Sequence, residues 1–441
     1  MKRGKVLITL ATTILCLGLL VFGVYSAVTV DFAFGGTLNF SPEGVFVDIK
    51  GQVYRGEDYL NLEAIEGDEF TFNATNYDDS TGVTSGNFPI NSWNPEVAFL
   101  PAKTFIQYYI EITNVSSESI SAIPSDMAAI SDVTVWQNCA EILRIDPGET
   151  AKYELNLEYT GTASISNVSF NINFDIRTTS AYIEAQNALG ANGISITQEG
   201  GVIQSVSGKN NTTDTSLANC AFIPSTINGT AITATKDTTA SAQYFLTTAK
   251  YIIFETGIKT LGSYTFIMKS GVEAISLPNS LTTIGNAVFG SCSAISINIP
   301  SSVTSLGTSA FAGAIKAVVV PGSIKDIPSS CFGSAHNLIK VEIEYGVETI
   351  GSGAFNTCAK LEEVILPETI TQIAANAFTL TQSALETFII KATTPPELTA
   401  NILGSATPKI YVPDSSLEEY KAANIWSNYS SYIYPMSLLP N

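Results

Sequence analysis

The chain has 441 residues, of which 45% are hydrophobic and 14% charged, and its net charge is −19. This length and composition predict two or three folded domains and exclude a largely disordered chain. The acidic surface would repel phosphate groups, which excludes nucleic acid as a general partner.

The N-terminus predicts export from the cell. Lys2, Arg3 and Lys5 precede an uncharged, mostly apolar run over residues 6–24, and small residues follow it before Ala27. This order of segments is typical of a secretory signal peptide, so residues 1–26 are predicted to be one. A run of this length can also span a bilayer, which makes an uncleaved N-terminal membrane anchor the alternative. Either way, the protein is expected to be extracellular, secreted or held at the cell surface.

Residues 28–179 alternate apolar and polar side chains in short runs. Phe105 to Ile112 is one such run, and Asp146-Pro147-Gly148 is a strong turn signal before another. Alternation with a period of two predicts strands that bury one face. About eight or nine such strands predict an antiparallel β-sandwich with an immunoglobulin-like arrangement.

Residues 180–194 favour a short helix or linker, because they suit a helix and end in glycines. The domain that follows, residues 195–436, contains a repeat. Its phenylalanines recur at intervals of 23, 22, 21, 23 and 23 residues, and they are Phe266, Phe289, Phe311, Phe332, Phe355 and Phe378. A period of this length predicts a solenoid, in which each repeat is one coil and neighbouring coils bury each other's faces.

Each repeat also carries a short alternating strand ahead of a fixed proline or glutamate. Ile275-Ser276-Leu277 and Val341-Glu342-Ile343 are two of these strands. The first and third residues point into the core and the middle residue points out, so stacked coils predict a parallel β-ladder. After the last repeat, Tyr420, Trp426 and Tyr429 are expected to cover the open coil as part of a cap at about 409–436.

Stretches such as LPNSLTTIGNAVFGSCSAI and YGVETIGSGAFNTCAKLEEVILP resemble the BspA-type leucine-rich repeat of bacterial surface proteins. The resemblance extends over residues 195–436. It implies a leucine-rich-repeat fold and a protein that adheres to host proteins, matrix or neighbouring cells.

The outward positions of the ladder form the candidate protein-binding face. Ile253, Val319 and Ile365 are aliphatic there, which is unusual for a surface without a partner. The alternative is that flanking turns shade these side chains. With a flanking row, the candidate set is Tyr251, Ile253, Ser276, Asn298, Val319, Lys340, Glu342, Glu363 and Ile365.

The sequence contains no recognisable catalytic, cofactor or metal motif. His336 is the only histidine, and the six cysteines include no Cys-x-x-Cys pair. Cys292 and Cys358 hold equivalent positions three coils apart, about 14 Å, which is too far for a disulfide. We therefore predict no catalytic residues, no cofactor and no bound metal.

Together these observations predict an exported, non-catalytic leucine-rich-repeat protein that binds a protein partner, such as a host matrix or cell-surface protein. One alternative is a glycan or cell-wall binding module, in which sandwich aromatics such as Trp93 or Trp136 contact the ligand. A less favoured alternative is a hydrolase with two carboxylates roughly 5 to 10 Å apart in a cleft of the sandwich.

Overall fold

The computed structural model describes residues 28–31, 37–40, 47–56, 58–73, 87–89, 96–99, 105–124, 132–160, 174–241, 243–293, 296–313, 315–379 and 384–440. The predicted signal peptide or anchor and Trp93 lie outside these residues. Within the described ranges, no helix has both the length and the apolar character needed to cross a membrane. The fold is mainly β, as predicted, with N-terminal antiparallel sheets followed by a β-solenoid of about eight turns.

The N-terminal sheets are built from β1 (Val28–Asp31), β2 (Thr37–Phe40), β3 (Val47–Gly56), β4 (Leu62–Asn73), β5 (Asn87–Pro89), β6 (Glu96–Phe99), β7 (Phe105–Asn114), β8 (Ile120–Pro124), β9 (Val133–Asn138), β10 (Thr150–Tyr159) and β11 (Phe174–Thr178). One sheet has the order β4-β3-β7-β10-β9 and another has the order β5-β2-β11-β8, while β1 pairs with β6. All pairs are antiparallel except the β2–β11 pair, which is parallel. The immunoglobulin-like arrangement is not confirmed and stays a prediction.

The alternating sequence of these strands produces the core of the N-terminal domain. Tyr108 and Ile110 on β7, with Tyr153 and Leu155 on β10, are at most 1% exposed and share one cluster. Side chains at the intervening positions point to the opposite face of the sheet, because successive residues of a strand alternate.

Helix α1 (Thr179–Ala188) joins this domain to the solenoid. The Gln186 side chain donates to the Phe222 carbonyl at 2.8 Å and accepts from the Phe222 amide at 3.0 Å. A neighbouring strand would make the same pair of bonds, so this side chain closes the free edge of the first ladder strand. The Tyr182 ring stacks on Phe222 at 5.0 Å and shields those bonds.

The solenoid strands are β12 (Ser195–Glu199), β13 (Val202–Gly208), β14 (Cys220–Ile223), β15 (Thr226–Ile227), β16 (Thr230–Ala231), β17 (Ala234–Thr235), β18 (Phe245–Thr247), β19 (Tyr251–Phe254), β20 (Thr260–Leu261), β21 (Ala274–Ser276), β22 (Thr283–Ile284), β23 (Ser296–Ile297), β24 (Ser305–Leu306), β25 (Ala317–Val320), β26 (Asp326–Ile327), β27 (Lys340–Ile343), β28 (Thr349–Ile350), β29 (Glu363–Leu366), β30 (Gln372–Ile373), β31 (Thr387–Ile390), β32 (Glu397–Leu398), β33 (Lys409–Val412) and β34 (Ile433–Pro435). Two short helices accompany them, α2 (Thr215–Ala218) and α3 (Leu417–Ala422).

The predicted parallel ladder is present but divided into two sheets. The first sheet is β14-β19-β21-β23, and the second is β25-β27-β29-β31-β33-β34. On another side of the coils, β24 and β26 are likewise not paired with each other. Both interruptions lie between the coils of Phe311 and Phe332, which have the shortest interval of the repeat. The shortened coil therefore marks the boundary between two halves of the ladder.

The repeated phenylalanines stack in one column inside the solenoid, as their period predicts. Ring centroids of successive members are 5.5, 5.0, 5.2, 5.0 and 5.1 Å apart. All six side chains are at most 1% exposed. The spacing is that of one coil, so the stack ties each coil to both neighbours.

The C-terminal segment covers the last coil. The Tyr420 hydroxyl donates to the Ala392 carbonyl at 2.8 Å, and the Trp426 ring nitrogen donates to the Pro396 carbonyl at 2.7 Å. These bonds satisfy backbone groups that a further coil would otherwise satisfy.

Candidate protein-binding face

The outward residues of the second ladder sheet align in two columns. The register of β25, β27 and β29 places Val319, Glu342 and Ile365 side by side in the middle column. The flanking column runs from Ala317 through Lys340 to Glu363 in the same strands. Parallel in-register coils keep such columns at a spacing of about 4.8 Å.

The N-terminal domain covers the first ladder sheet. Tyr251, Ile253 and Ser276 are 1%, 0% and 5% exposed, so the exposure predicted for these three residues is wrong. The N-terminal domain covers them, rather than the flanking turns of the solenoid. Tyr251 and Ile253 share a hydrophobic cluster with Ile142 and Leu143, which lie between β9 and β10. Burial of an aliphatic side chain contributes about 1.5–3 kcal/mol, so this packing stabilises the docked arrangement.

Ser296 completes the contact between the two domains. Its Oγ accepts hydrogen bonds from the backbone amides of Cys139 at 2.9 Å and Ala140 at 2.8 Å. The same hydroxyl donates to Asn138 Oδ1 at 2.7 Å. Because Ser296 is 1% exposed, these groups would lose both protein and water partners without it.

Two charged side chains cross the domain boundary at its margins. Arg144 Nη2 donates to Thr256 Oγ1 at 2.8 Å, and Lys316 Nζ lies 4.2 Å from the centroid of the Trp136 ring. Burial lowers the pKa of Lys316 to about 8. These contacts hold the N-terminal domain against the first ladder sheet, through Thr256, and against the start of the second sheet, through Lys316.

Beyond this boundary the ladder is open at β25, β27 and β29, whereas Ile389 and Tyr411 further along the middle column are 8% and 3% exposed. Val319 is 45% exposed, and Asn298 just ahead of it is exposed as well. Lys340, Glu342, Glu363 and Ile365 are half-buried. We call the outward residues of this half the open ladder face, and they are Ala317, Val319, Lys340, Glu342, Glu363, Ile365 and Thr387.

The open ladder face combines an ion pair with exposed aliphatic side chains. Lys340 Nζ lies 2.7 Å from Glu363 Oε1 in the flanking column. A pair as exposed as this contributes about 0–1 kcal/mol to stability, so it orients charge more than it holds the fold. Val319 and Ile365 in the neighbouring column offer apolar contact beside that charge.

A groove runs along the boundary between the two domains. One wall is the segment from Ala140 to Ala151. The other wall is formed by residues at the ends of several consecutive ladder strands and by the turns that follow them. Its volume is about 450 Å³. We call it the junction groove. Its lining residues include Glu141, Arg144, Asp146, Glu149, Asn298, Val319 and Glu344. The sequence analysis did not identify it, because its walls lie more than a hundred residues apart in the chain.

The sandwich aromatic residue Trp136, proposed as a glycan contact, is covered. It is 6% exposed, with the Lys316 ammonium at 4.2 Å and the Tyr59 ring at 5.3 Å. Burial raises the pKa of the nearby Glu154, which accepts hydrogen bonds from Asn138 and Tyr59. These contacts give Trp136 and Glu154 structural roles in the sheet.

The cysteines of the described ranges are placed as core residues rather than as ligands or nucleophiles. The five cysteines of the described ranges are buried and free, and burial raises the pKa of four of these thiols: Cys139, Cys220, Cys331 and Cys358. A thiol held protonated in this way is a poor nucleophile. In the part of the chain that the structure describes, no three His, Cys, Asp or Glu residues group as metal ligands would.

A stacked array of short parallel strands, with one buried phenylalanine per coil, defines a leucine-rich-repeat solenoid. Residues 203–316 and 288–395 of this chain match the family described as BspA type leucine rich repeat region, in six copies. Residues 203–395 thus match the BspA-type leucine-rich-repeat region, the family that the sequence predicted.

Solved bacterial structures resemble parts of the chain. A T. pallidum leucine rich repeat protein is 22% identical over 44% of this chain and 86% of its own, with a TM-score of 0.36. A leucine-rich repeat protein from Bacteroides ovatus is 21% identical over 50% of this chain and 58% of its own, with a TM-score of 0.34. A leucine rich cell surface protein from Faecalibacterium prausnitzii is 15% identical over 56% of this chain and 95% of its own, with a TM-score of 0.22. The search of curated proteins gives no match.

Proposed function

We propose that this protein is exported, has no catalytic activity of its own, and binds a protein partner through the open ladder face. The observation that carries the proposal is the exposure of the ladder beyond the N-terminal domain, above all Val319 at 45%. The first half of the ladder docks the two domains, and β25, β27 and β29 of the second half offer a surface of the same geometry with exposed or half-buried outward side chains.

The solenoid supplies a rigid platform for such binding. Stacked phenylalanines and backbone ladders fix the outward side chains, so little conformational entropy is lost when a partner binds. Exposed aliphatic groups beside charged ones combine apolar contact with orientation, as protein interfaces do. Adhesion to matrix or neighbouring cells fits this arrangement, because contacts repeated along many copies of a ladder add avidity.

Export is supported by the N-terminal sequence. Lys2, Arg3 and Lys5 ahead of the apolar run at 6–24 give the charge pattern of a signal peptide or anchor. A cell-surface or extracellular location is therefore part of the proposal. A glycan-binding role through Trp136 has less support, since that side chain is covered.

The test is binding of the full chain to an array of extracellular-matrix proteins and glycans. We expect binding to at least one protein, and we expect Val319→Ser with Ile365→Ser to weaken it at least tenfold. Leu246→Ser is the matched control, because Leu246 is another aliphatic residue, 54% exposed, on β18 away from the ladder. Equal effects of the control and the ladder variant, or binding to glycans alone, would refute the proposal.

A further inference from the structure

The open ladder face is too small to form a stable interface alone. Its four strands, β25, β27, β29 and β31, extend over about 14 Å, and two outward-facing positions per strand cover about 7 Å, or roughly 100 Å². A stable interface buries about 800 Å² on each partner. A partner that binds the ladder must therefore also contact the surfaces beside it, and the junction groove is the concave one.

The groove has the shape of a channel for an extended chain. Four consecutive coils contribute the residue that follows the ladder strand: Pro278, Pro300, Pro321 and Glu344. Three coil steps correspond to about 14 Å, the length of about four residues of extended polypeptide. A cavity of about 450 Å³ lies within the range of natural ligand sites.

The charge of the groove is acidic. Four carboxylates line it, and the single arginine among the lining residues is already paired, with Arg144 Nη2 2.7 Å from Asp146 Oδ1. Glu149 accepts from Asn279 Nδ2, and Glu344 accepts from the Gly322 amide, both at 3.2 Å. Within the described part of the chain, no lysine or arginine forms an ion pair with either glutamate.

A metal ion does not account for these acids. They are spread along the groove, and no group of three among the residues with described positions could share one ion. A ligand with several positive charges spaced along its length matches their distribution better. Such a ligand complements the field of an acidic cleft.

Apolar contacts lie at the same place. Val319 lines the groove, and Tyr345, which directly follows the lining residue Glu344, is 73% exposed. Exposed aromatic residues beside a desolvated cleft are frequent anchors of protein interfaces. The groove and its rim thus offer both carboxylates and apolar contacts.

We propose that the junction groove binds an extended, positively charged polypeptide segment, with Glu149 and Glu344 receiving lysine or arginine side chains and with Val319 and Tyr345 contacting apolar ones. This inference rests on the proposed function and names the partner's chemistry: a protein with an exposed basic segment next to the surface that covers the open ladder face. The groove exists only where both domains meet, so neither domain alone would bind such a segment well.

The test uses a fluorescent twelve-residue peptide of alternating lysine and valine, with a glutamate–valine peptide as its counterpart. Fluorescence anisotropy with the full chain should show binding of the lysine peptide alone, weakening as salt is raised. Glu149→Lys with Glu344→Lys should weaken binding at least tenfold, as should Asn298→Trp, which fills the groove without changing charge. The matched control is Glu199→Lys with Glu397→Lys, which makes the same change of charge at exposed residues of β12 and β32 outside the groove.

Loss of binding in the groove variants but not in Glu199→Lys with Glu397→Lys supports the proposal. Equal weakening by the groove pair and by this control pair would overturn it, because only the net charge would then matter. Binding of neither peptide, or of both equally, would overturn it as well.

The ladder variants separate this inference from the proposed function. If Val319→Ser with Ile365→Ser abolishes binding to a matrix protein while the two glutamate substitutions leave it intact, the ladder proposal stands and the groove proposal fails. If the groove binds the lysine peptide but matrix binding does not respond to the ladder variants, the groove proposal stands and the ladder proposal fails.

Discussion

Replacing Ser296 by alanine should loosen the N-terminal domain from the ladder. The Ser296 hydroxyl makes three hydrogen bonds to Asn138, Cys139 and Ala140, at 2.7–2.9 Å, and it is buried. The substitution removes all three and leaves two backbone N–H groups without partners. Each unsatisfied buried donor costs about 1–3 kcal/mol, so two of them predict a loss of about 2–6 kcal/mol in the free energy of unfolding.

Equilibrium urea unfolding followed by tryptophan fluorescence measures this loss. Because both domains share one hydrophobic cluster across the boundary, the unsubstituted protein should lose that cluster in one cooperative transition. The matched control is Ser323→Ala, which removes one bond to the Val303 carbonyl within the solenoid and should cost about 0.5–1.5 kcal/mol. An effect of Ser296→Ala no larger than that of the control would refute the docking argument.

Further substitutions test the interior and its pH dependence. Phe332→Ala should lower the free energy of unfolding by about 3–5 kcal/mol, because the buried ring loses stacked partners on both sides; a loss below about 2 kcal/mol in urea titrations would contradict the stack. Gly322→Ala should destabilise the coil measurably, since an added Cβ would meet the Tyr345 carbonyl oxygen at 1.8 Å, whereas Gly271→Ala, in open space, is the control. Burial lowers the pKa of Lys316 to about 8, so folding releases its proton between pH 8 and 10.5 and stability should rise with pH there; Lys316→Met should flatten that rise in thermal melts, and an unchanged slope would count against it.

The sequence repeat predicted which side chains form the core of the solenoid, but not which other segments pack against its outer face. A period of 21 to 23 residues fixes which side chains face inward, and the phenylalanine column follows from that alone. Ile253 and Val319 occupy equivalent outward positions, yet one is fully buried and the other is 45% exposed. The period assigns both to the same face, but only the docking of the segment between β9 and β10 decides which is covered. The aromatic Tyr251 beside Ile253, where later coils carry Lys340 and Glu363, was the available signal for a covered half.

The junction groove could not be predicted for a related reason. The fixed proline or glutamate of each coil was visible in the sequence, but as a marker of the period rather than as a surface. Glu149 was one acid among 40, and nothing local indicated that it would lie opposite Glu344. Contacts between distant segments depend on domain orientation, which short-range pattern does not encode.

The N-terminal domain covers the first ladder sheet and leaves the first strands of the second sheet open. Thiol labelling of Ile253→Cys and Val319→Cys in the folded full chain tests this arrangement most directly, because Cys139, Cys220, Cys292, Cys331 and Cys358 are buried. We predict that Val319→Cys reacts rapidly, above the background of the unsubstituted protein, and that Ile253→Cys reacts only when the protein is unfolded. Comparable labelling of both cysteines under native conditions would contradict the account.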